Sequence, residues 1–159
     1  MTTRQLTLAA IMTAFVFVAT FVPKIPIPLG YVHLGNAAIF LAVMFGGRRI
    51  GILSGVVGSA LADLLSGFPI WIVPTIFIKA AEAEIFWRLR EKHFLIGLIA
   101  AGLVMATGYT LAGAFLYDSL SAGLASTPGL LLEAAVNISV TIILSMAIKI
   151  RGGDDGQKN

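Results

Sequence analysis

The chain contains no cysteine, which excludes disulfides, thiolate metal sites and cysteine nucleophiles. Charge is scarce: Asp, Glu, Lys and Arg make up 12% of 159 residues, against about 25% in an ordinary soluble domain. That argues against a globular cytoplasmic protein. No glycine loop able to cradle a phosphate is present, and no serine or threonine has a histidine base nearby. Only two histidines occur, His33 and His93, and the topology read from charge puts them on opposite sides of a membrane. A paired-histidine metal site is therefore excluded, and no catalytic constellation remains. The net charge of +3 sits in connections between apolar stretches, which marks membrane topology and not nucleic-acid binding.

What is present is apolar sequence: 58% of residues are hydrophobic, and the mean hydropathy is +0.94. Candidate membrane spans fall at about 4–22, 35–46, 49–66, 71–90, 94–117 and 128–150. Arg4 precedes the first; Arg48 and Arg49 separate the second from the third; Arg88, Arg90 and Lys92 separate the fourth from the fifth; Lys149 and Arg151 follow the sixth. The alternate connections, 23–35, 66–73 and 118–128, hold Lys24 alone among cations. Lys and Arg are retained on the cytoplasmic side, so the pattern predicts six crossings with both termini inside. The predicted fold is an all-α, polytopic membrane domain over 1–151, followed by a disordered cytoplasmic tail at 152–159. The first apolar stretch, Leu6 to Val22, is too long for a signal-peptide core and is expected to be retained.

The second span is short. Asn36 to Phe45 rises only about 15 Å, half of the roughly 30 Å hydrocarbon core. The preceding loop, Pro23 to Gly35, is therefore expected to dip into the protein, kept extended by Pro23, Pro26 and Pro28. Longer, proline- and glycine-shaped connections on the outer side suggest that recognition happens there.

Few polar residues remain to carry function. Gly47, Gly51, Gly55 and Ser59 recur every four residues and read as a stripe for close helix packing. Asp63 follows on the same face near the outer boundary, either as a helix end in water or as a pocket group. Lys79, Glu82 and Glu84 interrupt the apolar run from Ile70 to Trp87. Ionisable residues inside a membrane face the protein interior and pair, and Lys79 and Glu82 share one helix face. Glu84 points elsewhere, toward Arg88 one turn on. The Lys79–Glu82 pair either binds helices together or serves a ligand site. Glu133 and Asn137 lie one turn apart in the outer third of the last span. His33, Asn36, Asp63 and Lys79 are expected at similar depth. Tyr31, Phe68, Trp71, Tyr109 and Tyr117 could stack on a planar ring or sit in an interfacial belt.

The chain resembles the substrate-binding S components of energy-coupling factor (ECF) vitamin transporters over nearly its whole length. The residues that carry the resemblance are Ala10 and Ala14, the run from Tyr31 to Asn36, the glycine-rich helix ending in Ser59 to Asp63, Pro69 to Trp71, and Lys79 to Glu82. Within the family it looks most like the hydroxymethylpyrimidine and pyridoxine branch, near the riboflavin components. Asn36 stands where Asp is usual, and Ala81 where Gly is common. The resemblance implies a multi-pass protein of a bacterial or archaeal cell membrane that is not an enzyme and binds no cofactor of its own. It implies capture of a small vitamin or precursor by a pocket drawn from His33, Asn36, Asp63, Trp71, Lys79, Glu82, Tyr109, Glu133 and Asn137. Ala10 and Ala14 are implied to pack against a transmembrane coupling subunit, itself driven by two ATPases that use ATP. Two other classes stay open: a small membrane enzyme acting on lipid or isoprenoid substrates, which would need Glu84 and Glu91 near the inner face, and a structural subunit.

Overall fold

Thr2 and Gln5 close a reciprocal capping box at the start of the first helix, α1 (Thr3–Phe21). The computed structural model describes residues 1–27 and 30–154, with side chains through Ile148. After α1 come two short strands, β1 (Ile25–Ile27) and β2 (Gly30–Val32), then the helices α2 (Gly35–Leu65), α3 (Ile72–Leu89), α4 (Phe94–Leu116) and α5 (Leu120–Asp154). A single 3₁₀ turn, Pro69–Trp71, leads into α3.

Helix α2 is two helical segments joined across a sharp kink. Gly47 has φ +75° and ψ −173°, a conformation open only to glycine. A Cβ built on Gly51 would lie 3.0 Å from the Val43 Cα, and one on Gly55 would lie 3.3 Å from Ile39. In a straight helix, Val43 and Gly51 would be about 12 Å apart. Residues 35–46 and 48–65 are therefore two antiparallel arms that fold back at Gly47. Gly47 is the hinge of this hairpin, not a member of the packing stripe expected of it. Gly51 and Gly55 let the two arms approach, and Gly58 does the same for α1, where a Cβ would meet the Thr13 carbonyl at 2.8 Å.

The short arm is the centre of the molecule. Every residue from Gly35 to Val43 is buried, as befits a helix that is apolar all round. Ile39, Phe40 and Val43 pack with Val16 of α1, Phe86 of α3 and Leu98 of α4. A second apolar cluster joins Ile78 of α3, Met105 and Ala106 of α4, and Leu130 and Ala134 of α5. Neighbouring helices in sequence pack side by side, and α5 returns to touch α2 and β2.

Four helices, α1, α2, α4 and α5, are long and apolar enough to cross a membrane. With α3, which carries the four ionisable residues Lys79, Glu82, Glu84 and Arg88, they make an all-α polytopic membrane protein. Three details differ from the sequence expectation. The loop from Pro23 is a β-hairpin, with Ile25 opposite Val32 and Ile27 opposite Gly30, and not a simple extended strap; Pro28 lies outside the described residues. The last helix starts at Leu120, so most of the expected connection at 118–128 is helical, with Pro128 inside it. Pro128 has no N–H to offer the Leu124 carbonyl one turn back; Ser126 and Thr127 donate hydroxyl bonds to the neighbouring Gly123 carbonyl at 2.8 and 3.5 Å. Finally, α5 continues to Asp154, taking in the first residues of the expected tail; 155–159 and the side chains of Lys149 and Arg151 lie outside the described residues.

One end of the bundle collects the arginines. Glu84 accepts from Arg48 Nε at 2.5 Å and from Arg88 Nε at 2.6 Å, and Arg90 donates to the Val43 carbonyl at 3.1 Å. The Arg48 contact was not legible from helix spacing, since it joins residues of two helices.

Candidate functional site

The other end of the bundle holds a cavity of about 520 Å³, counting its open mouth. Its lining is drawn from along the chain: Ile27 and Tyr31 of the hairpin, His33 after it, Asp63 of α2 and Phe68 just beyond it, Trp71 just before α3, Tyr109 of α4, and Ser126, Leu130 and Glu133 of α5. Two aromatic groups form the walls. Tyr31 stands 5.7 Å from Phe68 and 5.5 Å from His33, ring centre to ring centre. Trp71 stands 5.7 Å from Tyr109 and 6.3 Å from Tyr117.

Asp63 is held at the rim and is not free in water. Its carboxylate accepts from Thr75 Oγ1 at 2.5 Å and from the Tyr31 hydroxyl at 3.3 Å. Thr75 is also 3.0 Å from the Tyr109 hydroxyl, so one chain of hydroxyls links the hairpin, α2, α3 and α4. Burial pushes the Tyr31 phenol up to about 12, with Asp63 adding to the effect, so Tyr31 remains a donor. Lys24 bonds to Ser66 and lies 4.7 Å over the Tyr31 ring, pinning the hairpin to the end of α2.

Glu133 joins the cavity to a buried polar layer beneath it. Its carboxylate is 3.3 Å from His33 Nδ1 and accepts from Asn36 Nδ2 at 3.0 Å. Asn36 in turn accepts from Lys79, which donates to Glu82 at 3.0 Å. Asn137 accepts from the Ala37 backbone N–H at 2.8 Å and donates to the His33 carbonyl at 2.8 Å, fixing the start of α2 against α5. His33 Nδ1 accepts from the Gly35 N–H at 3.1 Å, which orients the ring. Burial, and then the Lys79 charge, hold the His33 imidazole well below its usual pKa, so it is neutral.

Of the nine residues picked out in the sequence, His33, Asp63, Trp71, Tyr109 and Glu133 line the cavity. Asn36, Lys79, Glu82 and Asn137 form the layer below and are fully or almost fully buried. Lys79 still reaches the aromatic wall, 5.4 Å from the Tyr109 ring centre. Sequence reading missed Ile27, Thr75, Ser126 and Leu130. Thr75 lies one turn before Lys79 on the same helix face, a signal that was available; Ser126 was hidden in an apparent loop. Among the described residues, the Trp71 indole N–H and one Glu82 oxygen are buried without protein partners.

Ala10 and Ala14 are exposed on α1. Glu84, one of the two inner carboxylates that an enzymatic reading requires, is held between Arg48 and Arg88.

Comparison with known proteins converges on one family. The profile described as "ECF-type riboflavin transporter, S component" matches residues 1–150. An uncharacterised protein of Pyrococcus woesei is 37% identical over 109 residues, covering 64% of this chain and 73% of that protein. The thiamine precursor transporter HmpT of Lactococcus lactis is 31% identical over 119 residues, covering 72% of this chain and 69% of HmpT. A solved S component of a bacterial ECF transporter shares the fold, with a TM-score of 0.76 at 22% identity, over 92% of this chain and 95% of the other. The chain belongs to the family of ECF-type riboflavin transporter S components, multi-pass membrane proteins of a vitamin transport system.

Proposed function

We propose that this S component captures a small vitamin precursor, hydroxymethylpyrimidine- or pyridoxine-like, from outside the cell and delivers it through a coupling subunit and two ATPases. The observation that carries this reading is the cavity at the end of the bundle opposite the arginines, with aromatic walls and two carboxylates, Asp63 and Glu133. Such a site stacks a planar ring and accepts hydrogen bonds from amino or hydroxyl substituents at its edge. The name of the relative HmpT points to the same ligand class. On this reading the two arms of α2 are separate spans, the chain crosses six times with both termini cytoplasmic, and Ala10 and Ala14 face the coupling subunit. The buried layer under Glu133 orients the carboxylate and performs no chemistry.

The test is mass spectrometry of small molecules retained by the purified protein, followed by titration with hydroxymethylpyrimidine, pyridoxine and riboflavin while following Trp71 emission. Tight binding of one of the two smaller rings is expected. Tighter binding of riboflavin would move the ligand to that vitamin and keep the capture role. Failure to bind any of the three, by protein that remains folded, would overturn the proposal.

A further inference from the structure

The arginine-rich end of the bundle carries a second concavity unrelated to the ligand cavity. It is an open groove of about 1300 Å³ between the start of α4, the end of α5 and the inner end of the short α2 arm. Its floor is apolar, formed in part by Met44, Phe94, Leu95 and Met146, and its rim carries Arg90 and Lys92. Leu95 and Met146 are more than half exposed. Among the described residues, the two cations outnumber the single rim carboxylate, Glu91, which makes only a 3.7 Å contact with Arg90 Nη2.

Arg90 is held ready on this rim. Its Nη1 donates to the Val43 carbonyl, and the guanidinium lies over the Trp87 ring at 4.1 Å. Helix α4 begins beside it, and among the described residues no side chain caps its N-terminus, so the first free N–H groups of α4 add partial positive charge at the same rim. A soluble anion would account for the cations and leave the floor uncovered. A neutral lipid would cover the floor and leave the cations unmatched. One molecule that satisfies both has an anionic phosphate head and apolar tails. We propose that this groove binds an anionic phospholipid, its phosphate on Arg90, Lys92 and the start of α4, its acyl chain along Phe94, Leu95 and Met146. This is independent of which vitamin the other end takes.

The experiment places the full-length protein in nanodiscs of equal phosphatidylglycerol and phosphatidylcholine, then measures lipid retained on extraction by native mass spectrometry. Retention of phosphatidylglycerol about tenfold over phosphatidylcholine is expected. Lys92 is exposed, so Lys92→Gln should fold normally and reduce that preference about fivefold; Arg90→Lys, which keeps the charge and loses the planar fork, should reduce it less. A phosphatidylglycerol bearing a photoreactive acyl chain should label the peptides containing 94–95 and 146. Equal retention of both lipids, or an unchanged preference in Lys92→Gln, would refute the site. Displacement of the lipid by inorganic phosphate alone would make it a simple anion site. If the photolipid is excluded and a coupling protein cross-links to Leu95 instead, the groove is a protein interface and the proposal falls.

Discussion

Lys79 is the cation on which the buried layer depends, and removing it should cost far more than an ordinary membrane substitution. Its side chain is 1% exposed and that of Glu82 is fully buried, with Nζ and Oε2 3.0 Å apart. Among the described residues, the other Glu82 oxygen has no hydrogen-bond partner, so Lys79→Met strands a carboxylate in a dry interior. Breaking a buried pair in this way costs about 3–5 kcal/mol. Glu82→Leu strands the ammonium instead, but Asn36 still accepts from it, which puts that variant at about 3 kcal/mol. The double variant removes both charges and leaves only the Asn36 carbonyl oxygen short of a donor, a loss of about 1–3 kcal/mol. The double variant should therefore be more stable than Lys79→Met alone, with a coupling of at least about 2 kcal/mol. At about 2–4 °C per kcal/mol, Lys79→Met lowers the unfolding midpoint by about 6–20 °C in mild detergent. Thermal unfolding of the four proteins completes the cycle. Strictly additive losses, or a Lys79→Met midpoint within about 2 °C of the parent, would refute this account of the layer.

Four further outcomes are expected. Gly47→Ala, at a backbone conformation reserved for glycine, should destabilise by about 1–3 kcal/mol, read as a lowered unfolding midpoint. Asp63→Asn weakens the bonds from Thr75 and Tyr31 and should reduce affinity for the heterocycle at least tenfold in the fluorescence titration, with a smaller effect on stability. His33 is neutral when folded because burial, then Lys79, lower its pKa. The unfolded chain then binds the extra proton, so stability is full above about pH 6.5 and falls as pH drops below it. The slope reaches at most about 1.4 kcal/mol per pH unit, and His33→Gln should abolish it in a pH series of unfolding midpoints. Ala10→Trp or Ala14→Trp, on the exposed face of α1, should leave ligand binding intact and block uptake in cells that carry the rest of the transporter.

The polytopic helical fold was legible because membrane insertion acts on local properties: runs of apolar residues, arginines between them, small residues every four positions. The Lys79–Glu82 contact was legible for the same reason, since three-residue spacing on a helix settles it without knowledge of the rest. The arrangement of the site was not. The Asn36–Glu133 bond joins residues 97 positions apart, and no periodicity encodes which helix faces which. Asp63 illustrates the limit: spacing set its depth, but only the positions of Thr75 and Tyr31 decide that it is tied into the rim. Pro128 misled in the usual direction: a proline reads as a break, yet α5 runs through it at the loss of one backbone hydrogen bond.

The reversal at Gly47 has a consequence for how the protein is made. The 12-residue arm before it rises about 18 Å, too little to hold a membrane position by itself. On the proposed six-span reading it enters the bilayer together with the arm that follows, so the unit of insertion is the pair. Asn36 then arrives in the bilayer before Lys79 has been synthesised, and Glu133 comes later still. The polar layer closes only when the last helix is in place. A product that ends before α5 would carry an unfinished layer of polar groups, since Glu133 and Asn137 both come from that helix.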